Sequence, residues 1–144
     1  MIIEFTIDPA NLFYSVMDKT ILDKTGLEAQ GVQVGDRFAL SKNEEDAFRI
    51  ELDNAINHLC IKLPFLEWEP NDGIEMRVES KKEIKPHSLV LLIDKALQEL
   101  MLFWWYEVRN PNYAAIAEQR AKATIAQIRK LVEGAMTERP YRYF

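Results

Sequence analysis

The side chains able to do chemistry are few and scattered along the chain. His58, Cys60 and His87 supply its only metal-ligating or nucleophilic imidazole and thiol groups. His58 and Cys60 stand two apart in an apolar helical pattern, and that spacing turns them to different faces of a helix. His87 falls in a linker, so the three do not make the convergent ligand set that a metal site needs. Cys60 reads instead as a small buried apolar residue. Glu44, Glu45 and Asp46 form a carboxylate cluster at the start of an expected helix, where negative charge complements the macrodipole without catalysis. The chain has no G-x-x-x-x-G-K-S/T loop, no G-x-G-x-x-G after a strand, no G-x-S-x-G and no H-E-x-x-H. The expectation is a protein that is not an enzyme and that uses no cofactor and no metal.

Charge narrows the partners. With 18 basic and 23 acidic residues the net charge is −5, which disfavours nucleic acid, since duplex binding depends on Lys and Arg neutralising phosphates. A hydrophobic share of 48% and a charged share of 28% over 144 residues suit one folded domain. A single cysteine excludes a disulfide framework and suits a reducing compartment. The opening MIIEFTID lacks the basic and apolar regions of a secretory signal.

The remaining candidates are contact residues in three separate stretches, the first of them one long run. Ser88 to Arg109 repeats apolar residues at Leu89, Leu92/Ile93, Ala96/Leu97, Leu100 and Phe103/Trp104, the spacing of an amphipathic helix. Asp94, Lys95 and Glu99 in its middle argue against membrane insertion. Its last turn is Phe103-Trp104-Trp105-Tyr106, and successive residues are turned ~100° apart on a helix. At least one of these rings therefore faces away from the main core, and Trp105 is taken as a partner contact. The tail carries a second set: Tyr141 and Tyr143 alternate with Pro140 and Arg142 ahead of Phe144. Such an arm suits strand addition or docking into a neighbouring subunit. Asp36, Arg37 and Phe38, in a long loop between Leu27 and Leu40, form a third set, because long loops often bind.

The elements that must position these residues follow from period and punctuation. Ile3, Phe5 and Ile7 alternate with polar neighbours as a strand, Asp8 and Pro9 open a first helix, and Gly26 is placed to stop it. Ser41-Lys42-Asn43-Glu44 matches a capping box for a second helix through Phe48, Leu52, Ile56 and Leu59, ended by Pro64. Phe65, Leu66 and Trp68 read as an apolar connector, and Ile74, Met76 and Val78 as a second strand that pairs with the first. Ser88 caps the central helix, Asn110-Pro111-Asn112 breaks it, and a last helix starts near Tyr113 with Ala114, Ala117 and Ala121 facing the bulky end of its neighbour. The fold class expected is mainly α. It has four helices, a C-terminal long helical hairpin and a two-stranded antiparallel ribbon, with one domain over 1–136 and an arm over 137–144.

This order of parts resembles small virion proteins of tailed phages and prophages. The helix ending in WWYEVRN is similar to one with a terminal W-Y-x-x-R pattern in phage head–tail connector proteins, of the head-completion or adaptor kind. The matching residues are Trp105, Tyr106 and Arg109. The likeness follows the order of elements over most of the chain, and its residue-level content lies in the last third. It implies a structural subunit without active site or cofactor, located in the virion or the cytoplasm of a bacterial host. Its partners would be copies of itself in a ring and neighbouring portal or tail components, with no membrane. The competing expectation is an interaction or regulatory module of a bacterial mobile element that grips a partner through the aromatic face of the central helix.

Overall fold

The structure is a computed structural model that describes residues 1–70 and 73–134. Its elements in chain order are β1 (Ile2–Ile7), α1 (Pro9–Ala29), a 3-10 turn (Lys42–Glu44), α2 (Glu45–Lys62), β2 (Leu66–Pro70), β3 (Ile74–Glu79), α3 (Pro86–Tyr106) and α4 (Pro111–Glu133). The fold is mainly α, with α3 and α4 packed as a hairpin, as the periodicity implied. α1 and α2 lean on α3 as well, so the central helix meets the other three.

The sheet has three strands, not two. β3 lies in the middle in the order β1-β3-β2, antiparallel to both neighbours, with Phe5 and Trp68 opposite Met76 and with Leu66 opposite Val78. The stretch expected to be a connector is thus a strand. Leu66 and Trp68 alternate with Glu67 and Glu69 in period two, but the run is only five residues long and ends on Pro70. Its pairing also resolves the weakness of an isolated two-stranded ribbon in water. The outer face is acidic, with Arg77 in register between Glu4 and Glu67 and bonded to Glu67 at 3.1 Å.

Several boundaries differ from the sequence reading, each for a local reason. Asp8 caps α1 as expected, accepting from the Ala10 amide at 2.9 Å, but the helix runs through Gly26 to Ala29. Gly31, at φ +83°, takes the left-handed conformation instead. Ser41 donates its hydroxyl to the Glu44 carboxylate (2.7 Å) rather than accepting a backbone N–H, so a 3-10 turn precedes α2. Pro86, not the residue after Ser88, opens α3, since a proline at the first helical position forfeits no bond. By the same rule α4 opens at Pro111, capped by Asn110, which accepts from the Tyr113 amide at 3.1 Å. Gly134 ends α4 at φ +89°.

Buried residues from all four helices and all three strands join one apolar cluster. Across the hairpin a polar bond is enclosed: the Thr124 hydroxyl donates to the Glu99 carboxylate at 2.6 Å. Among the described residues no helix is long and apolar enough to cross a membrane.

Candidate functional site

The four rings at the end of α3 divide into two pairs. Trp105 and Tyr106 turn inward, 2% exposed each, while Phe103 and Trp104 remain half-buried. The inward pair holds the 30–40 loop. The Trp105 indole N–H donates to the Phe38 carbonyl at 2.7 Å, and the Phe38 ring, 7% exposed, packs against Tyr106 (5.5 Å) and Tyr113 (6.2 Å). Arg109 lies over the Trp105 ring, 3.4 Å from its centroid, and donates to the carbonyls of Arg37 (3.1 Å) and Trp105 (2.9 Å). At the far end of the loop the Leu40 amide donates to the Thr20 hydroxyl at 2.9 Å. The W-Y-x-x-R spacing therefore works inside this chain as a clamp on residues 37–40.

Its electrostatics fit that role. The Tyr106 hydroxyl donates to Asp23 at 2.6 Å, and Asp23 is also paired with Lys19 at 3.0 Å. Burial, then the bond to Asp23, pushes the Tyr106 phenol far above its ordinary value, so it acts as a fixed donor. Burial lowers the Arg109 guanidinium, with nearby Glu44 opposing the shift. It also raises the Cys60 thiol, with Glu67 adding to the effect, which makes a poor nucleophile. Among the described residues no group of three or more His, Cys, Asp or Glu side chains is placed to hold a metal ion.

The outward pair floors a groove of about 560 Å³ between α2 and α4, with α3 beneath. Leu100, Met101, Phe103 and Trp104 line it from α3, and Ile125 from α4. Room exists because Ala55, Ala121 and Ala126 stand where larger side chains would fill it. One end is marked by Trp104, which meets Phe48 edge-on at 6.3 Å. The other is tied by Arg129, donating to the Lys62 carbonyl at 2.6 Å. α2 and α4 therefore run the same way along it. The rim is graded in charge: Glu51, Glu107 and Glu118 surround the Trp104 end, and Lys62, Lys122 and Arg129 follow toward the other. Such a surface, apolar in its floor and polar on its rim, has the anatomy of a protein-binding patch.

Of the contact residues expected from sequence, Asp36 and Arg37 are exposed, while Phe38 and Trp105 lie within the chain's own packing. A partner reaches those two only if the loop lifts. The rings of the aromatic block open to a partner are Phe103 and Trp104. Tyr141, Arg142, Tyr143 and Phe144 lie outside the described residues. The groove escaped the sequence reading because the alanines of α4 were expected to be filled by the aromatic end of α3. Comparison with protein-family models, curated proteins and solved structures finds no match to this chain.

Proposed function

We propose that the chain is a non-enzymatic structural protein of a phage or prophage virion, a head–tail connector or neck-ring subunit that works through contacts with copies of itself and with portal or tail components. The observation that carries the protein-contact part is the aromatic groove, which leaves Phe103 and Trp104 half-open side by side over an apolar floor. The partly enclosed polar groups support it from the other side. Tyr106, Asp23, Arg109, Glu99 and Thr124 are engaged with one another or with backbone, in bonds that hold elements together. The virion assignment rests on the W-Y-x-x-R resemblance and the arginine-aromatic tail.

The test is mass in solution by light scattering over a wide concentration range, for the full chain and for a version ending at Glu138. Oligomers that depend on the tail support the ring-forming subunit. A monomer in both versions at every concentration moves the weight to the second reading, an interaction module of a mobile element. That reading is favoured by the same observation, since one groove on one face suits a single bound partner.

A further inference from the structure

We infer that the groove between α2 and α4 is the interface of a two-fold homodimer, in which α2 and α4 of one chain lie antiparallel on α2 and α4 of a second copy. The inference rests on the protein-contact part of the reading above and not on the virion assignment. α2 and α4 run the same way along the groove, and Arg129, donating to the Lys62 carbonyl at 2.6 Å, sets residues 62 and 129 level with each other. Glu51 precedes Lys62 by eleven residues, and Glu118 precedes Arg129 by eleven. At ~1.5 Å per residue both helices therefore carry an acidic and a basic group ~16 Å apart, at matching heights on the two rims. A two-fold axis across the groove, through the midpoint of both helices, reverses their direction. It sets Glu51 on Lys62 of the copy and Glu118 on Arg129 of the copy, and by symmetry each contact is made twice. Among the described residues Glu51, Glu118 and Lys62 have no ion-pair partner within the chain, and Arg129 approaches Glu133 only at 3.9 Å. A copy laid in the parallel direction would set each group on its own sign.

The crest of α2 beside the groove supports the same arrangement independently. Ala47, Ile50, Asn54, His58 and Ile61 recur at helical three-and-four spacing, all are exposed, and none is an acid, Lys or Arg. The outward face of an amphipathic helix ordinarily carries charge, whereas here Ile50 and Ile61 stand 68% and 77% exposed. They too are eleven residues apart. The axis that pairs Glu51 with Lys62 therefore also sets Ile50 against Ile61 of the copy, to within one residue. Ile61 of the copy arrives at the Trp104 end of the groove, where Phe103 and Trp104 are half-open. Isoleucines and rings thus leave water together. Lys122 falls ~2 Å along α4 from the midpoint, so it faces its own copy. That like-signed contact opposes the opposite-signed ones and supplies a test of where the axis lies.

The experiment is sedimentation equilibrium on the full chain from micromolar to millimolar concentration, beside the version ending at Glu138. The expected species is a dimer that forms equally well in both. Ile61→Glu places a charge on a side chain that the monomer leaves in water, so it should shift the monomer's melting temperature by no more than ~2 °C. It should raise the dimer dissociation constant at least about tenfold, because it sets a carboxylate among Glu51, Glu107 and Glu118 of the copy. Leu22→Glu, at an exposed α1 residue that does not line the groove, should change neither. Lys62→Glu with Arg129→Glu should abolish self-association, and so should Glu51→Lys with Glu118→Lys. An equimolar mixture of those two doubly substituted chains should restore a mixed dimer. Lys122→Ala should tighten the parent dimer several-fold. Monomer at every concentration overturns the inference, as does a dimer that Ile61→Glu and Leu22→Glu weaken equally. Folded charge-reversed chains that stay apart on mixing overturn it too; if they do not fold, the comparison of Ile61→Glu with Leu22→Glu decides. Tail-dependent oligomers indifferent to Ile61→Glu would sink this inference alone, and tail-independent dimers lost with Ile61→Glu would sink the tail-built ring alone.

Discussion

Replacing Tyr106 with Phe deletes one hydroxyl and nothing else from a ring that is 2% exposed. That hydroxyl donates to Asp23 at 2.6 Å and joins the end of α3 to α1. A hydrogen bond to a charged partner contributes ~1.5–3 kcal/mol. Asp23 keeps its contact with Lys19 at 3.0 Å, and its side chain retains 17% exposure, so the lower half of that range applies. The expected loss is about 2 kcal/mol at pH 7, or roughly 4–8 °C in melting temperature for a chain of this size. The pH dependence makes the test specific. The folded phenol titrates above its ordinary value, mainly because it is buried, while in the unfolded chain it ionises near pH 10. Below pH 10 both states hold the proton and the contribution is fully present. Above it the unfolded chain binds fewer protons, and this site loses stability by up to about 1.4 kcal/mol per pH unit. Tyr106→Phe has no such loss, so its deficit against the parent must shrink as pH rises past 10. Urea unfolding of both proteins from pH 7 to 11, with Asp23→Asn completing a double-mutant cycle, measures it. A deficit below about 0.5 kcal/mol, or one that stays constant across that range, would refute the role given to this bond.

Two glycines should respond in opposite directions. At Gly73 an added methyl would lie 2.6 Å from Thr6 Cγ2 and 3.3 Å from the Ile7 carbonyl, so Gly73→Ala should cost about 1–3 kcal/mol in thermal or urea unfolding. Gly26 sits inside α1 with nothing within 4 Å, and Gly26→Ala should stabilise by roughly 0.5–1 kcal/mol. Thr124→Val removes the donor to the buried Glu99 and should cost about 1–3 kcal/mol in urea unfolding, with Thr124→Ser recovering most of it. Cys60 should react with a disulfide reagent at pH 8 more slowly than a free cysteine, with its half-maximal rate displaced to higher pH; unfolding in urea should abolish both differences.

Periodicity made the helices legible because each buries a stripe wide enough to repeat several times. The hairpin break was equally clear, since Asn110 and Pro111 carry local rules that tertiary structure does not override. β2 was harder, because Leu66 and Trp68 offer two alternations and a helix-ending Pro64 stands just before them. Only pairing with β3 identifies the run as a strand, and pairing is not local. The groove was the least legible feature. Ala121 faces the same way on α4 whether a neighbour fills the space or leaves it open, and what decides is the separation of α2 from α4. Burial of Phe38 depended likewise on three groups far away in sequence, the indole of Trp105 and the rings of Tyr106 and Tyr113.

That burial redistributes the weight of the functional argument. Trp105, Tyr106 and Arg109, the residues behind the phage resemblance, are each engaged in holding residues 37–40 or in joining α3 to α1. Any fold with a loop crossing the end of this hairpin would favour an indole donor, a buried phenol and a stacked guanidinium at that spacing, whatever the protein assembles with. Residues that face outward do not have that explanation. Phe103 and Trp104 pack against the core on one side and stay half-exposed on the other, and the alanines opposite keep the space above them open. If contact with another chain is what maintains that surface, Phe103→Ser and Trp104→Ser should impair assembly far more than they lower stability. Trp105→Ser should lower stability first. Measuring melting temperature and assembly side by side on these variants separates the two halves of the aromatic block. Equal stability losses at Trp104 and Trp105, with assembly falling only in proportion, would show the groove to be mere packing left unfilled.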